Sequence, residues 1–285
     1  KLINRYKQEG EAAFEPRSRR PHTSPRKIPA TVIDQIIQLR KHLAGDGLDA
    51  GPDTIAWHLT THHNITISPA TISRHLTQAG LVAPEPKKKP KSSYIRFEAA
   101  MPNETWQSDF THYRLSNGDD VEILPWIDDC TRYVLRLTAH QRITTPIVVA
   151  QFHAAIAEHG IPASTLTDNG MVFTTRLSGA GRAGGRNKFE SELRRLNITQ
   201  KNGRPNHPTT QGKVERFQQT LKKWLRARAQ QPESISRLQL LLDEFTDEYN
   251  NRRPHRSLPH HATPLRALLP PNQSDTPRVP RPRHP

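Results

Sequence analysis

The chain has 285 residues, and its 42 lysines and arginines exceed its 27 aspartates and glutamates, which gives a net charge of +15 and an isoelectric point near 10.3. This balance indicates a polyanionic partner, of which nucleic acid is the first candidate. The sequence contains no run of the ~18–20 apolar residues that a membrane span needs and no signal sequence, which predicts a soluble, unexported protein. The single cysteine, Cys130, excludes an internal disulfide and a zinc site built on paired cysteines.

The first 27 residues predict the end of a helix followed by a basic linker. Lys1–Gly10 has the pattern of a helix that a C-cap glycine ends, and the initial lysine suggests that this helix closes a truncated upstream unit. From Glu15 to Lys27, three prolines and five basic residues disfavour a packed helix or strand. The segment is either a solvated linker or an arm that binds DNA, in which case Arg19 and Arg20 would contact phosphates or the minor groove.

Residues 28–83 predict three short helices. Apolar residues recur at helical spacing over Thr31–Leu43, and a second short helix follows around Pro52–Thr60. Ser68 and Pro69 have the order of an N-cap and a first helical residue, and Gly80 ends the third helix. This pattern favours a helix-turn-helix DNA-binding domain over the alternative, a plain three-helix bundle. In the DNA-binding case the candidate contacts of the third helix are Thr71, Ser73, Arg74 and Gln78.

A different composition begins after a basic linker at residues 84–101 and continues to residue 269. The predicted strands are Thr105–Leu115, Asp120–Ile127, Thr131–Thr138 and Ser164–Thr167, and the predicted helices are Pro146–His159, Lys188–Leu196, Thr209–Ala229 and Ser234–Tyr249. Their order indicates an α/β domain with a mixed central sheet. Residues 270–285, rich in proline and arginine, predict a disordered tail.

Three carboxylates of this domain are candidates for a metal site. Asp109 is in the middle of the first strand, Asp168 ends the fourth strand, and Glu215 lies inside a long helix. Lys222, seven residues after Glu215, returns to within roughly 20° of it, so one helix face carries a carboxylate and an ammonium that could hold a metal and a phosphate. An ordinary exposed salt-bridge face is the alternative, and any one of the carboxylates alone is weak support.

Five strings follow one another in the second domain: WQSDF at 106–110, WIDDCTRYV at 126–134, LTDNG at 166–170, HPTTQGKVERF at 207–217 and YNNRRPHRSL at 249–258. In content and order they resemble bacterial insertion-sequence transposases with a retroviral-integrase-type core, the DDE superfamily. The resemblance covers residues 102–269 and implies a ribonuclease H-like fold, with a five-stranded mixed sheet flanked by helices. The upstream helix-turn-helix is also typical of these enzymes.

The resemblance further implies that Asp109, Asp168 and Glu215 bind Mg²⁺ or Mn²⁺, as two ions, and that Lys222 contacts the DNA end. Near the glutamate, Lys213, Arg216 and His207 are further candidates for DNA contact. Asp128 and Asp129, in contrast, belong to a turn that is a fold element in the resembling family, so we do not expect them to be ligands. The segment Leu177–Asn187 makes the number of residues between Asp168 and Glu215 larger than is usual in the family. We predict that this segment is an inserted flexible loop.

The implied activity is DNA transposition in the bacterial cytoplasm, at the nucleoid. Water would cleave a phosphodiester at the element end, and the freed 3′-hydroxyl would attack target DNA, without a covalent protein–DNA intermediate. The expected partners are double-stranded DNA and further copies of the chain, since bringing two ends together needs at least a dimer. Two alternatives stay open: a DNA-binding regulator or decayed transposase that only occupies the ends, and a stand-alone ribonuclease H-like nuclease.

Overall fold

The computed structural model describes residues 1–16, 27–82, 98–176, 178–182, 184–202 and 212–269. The predictions for Arg19, Arg20, His207 and residues 270–285 lie outside the described residues. Among the helices that are described, none is long and apolar enough to cross a membrane.

The N-terminal part is all-helical, as predicted. Helix α1 (Leu2–Glu9) ends at Gly10, whose φ of 61° is one that glycine adopts without strain, and a short 3₁₀ turn follows. Three helices, α2 (Ala30–Gly45), α3 (Pro52–His63) and α4 (Pro69–Gln78), then pack around a small apolar core. The predicted N-cap of α4 is confirmed, because the Ser68 side chain accepts a hydrogen bond from Thr71 N.

The second domain contains six strand segments: β1 (Thr105–Ser108), β2 (Thr111–Arg114), β3 (Asp120–Asp128), β4 (Val134–His140), β5 (Ser164–Thr167) and β6 (Thr199–Asn202). Strand β3 pairs antiparallel with β4 on one side and with β1 and β2 on the other. Parallel pairing then adds β5 beside β1 and β6 beside β5. Because β1 and β2 share one edge of β3, the sheet is five strand positions wide.

Helices cover both faces of this sheet. They are α5 (Thr145–His159), α6 (Gly179–Arg182), α7 (Lys188–Arg195), α8 (Gly212–Arg226), α9 (Ile235–Asp247) and α10 (Pro264–Leu268), and a π-helical turn, Glu248–Arg252, continues α9. Alternate side chains of β3 enter different cores: Val121 and Ile123 pack with α8 and α9, whereas Leu124 and Trp126 pack with α5 and α7. This is the ribonuclease H-like α/β arrangement that the resemblance implies.

Three local predictions need correction. The first strand is not continuous, because it is interrupted at Asp109 and Phe110. The Leu177–Asn187 segment is not simply a flexible loop: it contains α6, and Asn187 forms a capping box with Glu190 that begins α7. The third strand begins later than predicted, at Val134, because residues 129–132 form a turn in which Arg132 has a φ of 64°.

Candidate active site

Two of the three predicted carboxylates lie at the same end of neighbouring strands. Strands β1 and β5 are parallel and adjacent, and their register pairs Ser108 with Thr167. Asp109 and Asp168 are the next residues along each strand. The sheet therefore brings two carboxylates, 59 positions apart in the chain, to one edge.

The break in the first strand explains how Asp109 leaves the ladder. β1 and β2 keep a single register along β3, which puts Asp109 opposite Pro125. Proline has no N–H to donate to the facing strand. Its carbonyl accepts a hydrogen bond from the Ser108 hydroxyl at 2.7 Å instead. The missing backbone donor thus interrupts the strand at the residue that carries the carboxylate.

Asp168 is fixed by the turn that follows β5. Its Oδ1 accepts from Gly170 N at 3.0 Å, and its carbonyl accepts from Asn202 Nδ2 at 3.2 Å. A Cβ at Gly170 would lie 3.0 Å from Asp168 Oδ1, which is tighter than an ordinary van der Waals contact. Glycine at this position therefore lets the chain turn tightly around the carboxylate.

Helix α8 carries the third carboxylate, Glu215, which is exposed near the start of the helix. One turn further, Gln218 donates its Nε2 to the carbonyl of Asp109 at 2.8 Å and approaches Asp109 Oδ2 at 3.4 Å. Residues three apart share a helix face. Gln218 therefore ties the Glu215 face of α8 to the end of β1.

The electrostatics indicate that the three carboxylates interact. Burial raises the pKa of Asp109 to about 6, together with the negative charges of Asp168 and, to a smaller extent, Glu215, while the Gln218 hydrogen bond opposes the rise. Burial also raises the pKa of Asp168 against the opposing hydrogen bond from Gly170. The site therefore concentrates negative charge that the described residues only partly compensate.

The carboxylates do not form a closed metal cage. Within the described ranges, no group of three or more His, Cys, Asp or Glu side chains is arranged so that it could hold a metal ion. The donor chemistry nevertheless fits a hard cation, since carboxylate oxygens are the ligands that Mg²⁺ and Mn²⁺ accept. Hydrogen bonds hold Asp109 and Asp168 in place, whereas Glu215 is exposed.

The basic residues predicted on α8 have different surroundings. Lys222 is half-buried and makes no hydrogen bond or ion pair with any residue that the structure describes, and Arg216 is exposed. Lys213 donates to both carboxylate oxygens of Asp129 at 2.6 Å. A DNA contact by Lys213 would have to compete with that ion pair.

The predicted contact residues of the helical domain are spread along α4. Arg74 and Gln78 are exposed. The hydroxyl of Thr71 lies 2.9 Å from that of Ser68, so it takes part in capping, and Ser73 is partly buried. Two of the four side chains are therefore fully available on the surface of this helix.

Sequence reasoning missed Gln218. Its signal was available in principle, because it follows Glu215 at i+3 and so lies on the face of the helix that carries the candidate ligand. Its partner, however, is 109 positions away in the chain. Only the folded arrangement identifies the contact.

Comparison with protein families divides the chain in the same way as the structure does. Two models described as integrase core domain match residues 99–208 and 196–264, and together they span more than half of the chain. A model described as homeodomain-like domain matches residues 1–76. That match includes α1 and crosses the boundary that we expected near residue 27.

Two curated relatives come from insertion elements. The chain is 35% identical over 78 residues to the insertion element IS476 uncharacterized 39.2 kDa protein of Xanthomonas euvesicatoria, which covers 27% of this chain and 22% of that protein. It is 32% identical over 108 residues to the insertion element IS407 uncharacterized 31.7 kDa protein of Burkholderia multivorans, covering 37% and 39%. The matches thus span less than half the length of either relative.

Solved structures with a similar chain path include viral integrases. The HTLV-2 integrase catalytic core domain in complex with magnesium, in its trimeric form, is 22% identical, with a TM-score of 0.45 over 60% of this chain and 100% of that one. A chain of the simian T-cell lymphotropic virus intasome in complex with PP2A regulatory subunit B56 gamma is 21% identical, with a TM-score of 0.48 over 82% and 75%.

Proposed function

This chain belongs to the family of proteins with an integrase core domain, and from that premise we propose that it is a DNA transposase that cleaves element ends and transfers them to target DNA. One observation carries the proposal: Asp109 and Asp168 directly follow adjacent parallel strands, and the negative charges of Asp168 and Glu215 both raise the pKa of Asp109. Such a cluster of carboxylates suits metal-dependent phosphoryl transfer.

In this proposal Asp109, Asp168 and Glu215 hold Mg²⁺ or Mn²⁺, in two sites. Bound ions would supply Lewis-acid stabilisation of the attacking and leaving oxygens of the phosphodiester. Gln218 is a positioning residue, because its hydrogen bond to Asp109 sets where the start of α8 meets the sheet. Lys222 would bind a phosphate of the DNA end as a point charge.

The helical domain would supply DNA binding. Arg74 and Gln78 on α4 would contact DNA from the exposed face of that helix, with Thr71 and Ser73 beside them. The partners are therefore double-stranded DNA and, for the joining of two ends, at least one more copy of this chain.

The test compares two aspartate-to-asparagine variants in strand transfer of a labelled element end. Asp168→Asn removes a ligand charge at nearly constant size, and we expect it to abolish Mg²⁺-dependent strand transfer while end binding remains measurable. Asp120→Asn, at an exposed aspartate that begins β3, is the matched control and should transfer normally. Normal transfer by Asp168→Asn would refute the assignment.

A non-catalytic DNA-binding protein is the second candidate, and one observation favours it: no metal-holding group of three side chains is formed in the described ranges. This candidate predicts that the chain binds element ends but does not nick them with Mg²⁺ or Mn²⁺. The proposed transposase nicks a labelled end fragment in a metal-dependent way. A nicking assay on the unsubstituted chain therefore separates the two.

A further inference from the structure

A short turn of the helical domain, Asp46–Asp49 between α2 and α3, lies against the C-terminal half of α8. Its Gly47 has a φ of +74°, which favours glycine. A Cβ built there would lie 2.8 Å from the carbonyl oxygen of Lys223 and 2.9 Å from Trp224 Cα. Both are backbone atoms of α8 that cannot swing aside. Only a glycine allows the turn to approach the helix this closely.

Two basic side chains of the α/β domain donate hydrogen bonds to carbonyl groups of this turn. Lys223 Nζ donates to the carbonyl of Leu48 at 2.5 Å, and Arg228 Nη2 donates to that of Asp46 at 2.7 Å. Asp46 is the C-cap residue of α2. Carbonyls at the end of a helix lack intrahelical partners and carry partial negative charge, so cations stabilise them.

Two ion pairs add charge complementarity. Arg253 contacts Asp49 at 2.5 Å, and Arg256 contacts Asp53 at 3.1 Å. The first pair carries more weight, because the Arg253 side chain is only 11% exposed, whereas that of Arg256 is 74% exposed and screened by solvent. Both arginines belong to the YNNRRPHRSL string at 249–258.

An apolar contact completes the interface. Leu48 packs against the core of the helical domain and also against the core that α8 and α9 form with the sheet. The two cores therefore meet at this side chain, between the close backbone contact at Gly47 and the ion pair at Asp49.

We propose that Asp46–Asp49 is a plug that docks the helical domain onto α8 of the same chain, so that α4 and the helix carrying Glu215 move as one body. The docking then fixes the distance between a DNA end held by α4 and the carboxylates. That second part rests on the proposed function, whereas the docking itself does not.

The docking is tested on the full-length chain by pulsed electron paramagnetic resonance. Cys130→Ser removes the native thiol, and Thr61→Cys on α3 with Glu244→Cys on α9 provides two exposed label sites. A docked domain gives one narrow distance distribution. A broad distribution in this otherwise unsubstituted chain would overturn the proposal.

Glycine variants then locate the contact. Gly47→Ala should broaden the distribution, because its Cβ meets the backbone of α8. Gly80→Ala should not, although Gly80 also has a positive φ, of +67°, because an added Cβ there meets nothing within 4 Å. This pair separates the steric clash from positive-φ strain. An unchanged distribution in Gly47→Ala would contradict the plug.

Two further arms remove remaining ambiguities. Asp49→Lys places a positive charge against Arg253. Because the side chain of Asp49 is 40% exposed, this variant should fold even if Gly47→Ala does not, and it should broaden the distance distribution. An unchanged distribution would count against the interface.

Mixing labelled chain with excess unlabelled chain should leave the narrow distance distribution intact. Its loss would show that the docking site is filled by a second copy and would overturn docking within one chain.

Strand transfer tests the coupling. A misplacement of about 1 Å can cost about a hundredfold in rate, so we expect Gly47→Ala to bind element ends but to transfer them about ten- to a hundredfold more slowly. Gly45→Ala, where an added Cβ meets nothing within 4 Å, should behave as the unsubstituted chain. Equal transfer by both would refute the coupling. If the unsubstituted chain transfers nothing, the proposed function fails while the distance measurement still decides the docking.

Discussion

Two pairs of aspartates lie at or next to the ends of strands in one sheet, and the two pairs differ in burial and in the number of hydrogen-bond donors around them. Asp128 and Asp129, at the end of β3, are fully buried and saturated with donors. Asp128 accepts from Thr131 N and Oγ1 and from Asn103 N, each at 2.8 Å. Asp129 accepts from the side chains of Lys213 and Gln107 and from a backbone amide.

Asp109 and Asp168 have far fewer donors. Among the described residues, the Asp109 carboxylate is approached only by Gln218 Nε2, at 3.4 Å, and the Asp168 carboxylate accepts only from Gly170 N. Burial raises the pKa of both groups. Asp128 and Asp129 therefore have their hydrogen bonds within the fold, whereas no cation among the described residues compensates the negative charge of Asp109 and Asp168.

We interpret this difference as that between structural carboxylates and the proposed metal ligands. Buried polar groups in a finished fold are normally hydrogen-bonded, and an uncompensated buried charge is costly. A protein that keeps two such carboxylates together accepts that cost where a ligand compensates it. Residue type does not distinguish the pairs. Asp128 and Asp129 are fully buried and have several donors each, whereas Asp109 and Asp168 are half-buried and have few among the described residues.

The largest expected effect is on stability, with opposite signs in the two pairs. Asp129→Asn leaves the half-buried ammonium of Lys213 without its counter-charge, and we expect it to lower the free energy of unfolding by about 3 kcal/mol. Asp168→Asn at pH 7 should raise the free energy of unfolding, because burial disfavours the charged form of this group. Urea unfolding followed by circular dichroism measures both. Changes of the same sign would remove the distinction.

The second prediction concerns the titration of Asp109 itself. We expect a carbon-13 resonance of its carboxyl group to report a pKa of about 6 in metal-free protein. Asp168→Asn should lower this pKa, Glu215→Gln should lower it less, and Gln218→Leu should raise it, following the order of the causes. A pKa unaffected by both Asp168→Asn and Glu215→Gln would mean that the carboxylates do not converge.

The same shift has a consequence for stability. A carboxyl whose pKa is higher in the folded than in the unfolded state binds more protons when folded. The contribution of Asp109 to the free energy of unfolding therefore falls as the pH rises from 3.8, its ordinary pKa, to about 6, its pKa in the folded protein. Asp168→Asn should lower the upper end of this pH range, because it lowers the pKa of Asp109 in the folded state. Measuring unfolding at a series of pH values tests this.

Much of the fold follows from local sequence. The N-cap at Ser68, the glycine that ends α1, and the helix α5 arise from patterns within a few residues, and each was predicted. Strand β6 was not located, because TQKN at 199–202 is short and polar and has no apolar alternation; it pairs with β5 at the edge of the sheet. The break at Asp109 depends on Pro125 in another strand.

The candidate site divides in the same way. The resemblance pointed to both Asp109 and Asp168. The sequence also placed Asp168 at the end of a strand, but it placed Asp109 in the middle of one. The partners of these groups are not visible in the sequence. The ion pair of Lys213 with Asp129 joins residues 84 positions apart. The contact of Gly47 with α8 joins two domains. Those contacts exist only after folding.

The third prediction uses a metal to sharpen the comparison. Mg²⁺ that binds only the folded state stabilises it by about 1.4 kcal/mol at tenfold its dissociation constant. We expect Mg²⁺ to raise the unfolding temperature of the unsubstituted chain but not that of Asp109→Asn or Asp168→Asn. Asp128→Asn, although destabilised, should keep the full Mg²⁺ increment. An increment that depends on Asp128 rather than on Asp109 would reverse the two roles.

The smallest expected effect distinguishes two of the three lysines of α8, Lys213 and Lys222. Lys213 already has an anionic partner, whereas Lys222 makes no ion pair with a described residue and is free to bind a phosphate. Each phosphate contact contributes about 0.9 to the slope of log affinity against log salt concentration. Lys222→Ala should therefore weaken end binding and reduce that slope by about 0.9, while Arg237→Ala, at an exposed cation on α9, leaves it unchanged. Equal slopes for Lys222→Ala and the unsubstituted chain would mean that Lys222 is a solvated surface charge. The lack of a partner among the described residues would then mark a ligand site only at the half-buried carboxylates of Asp109 and Asp168.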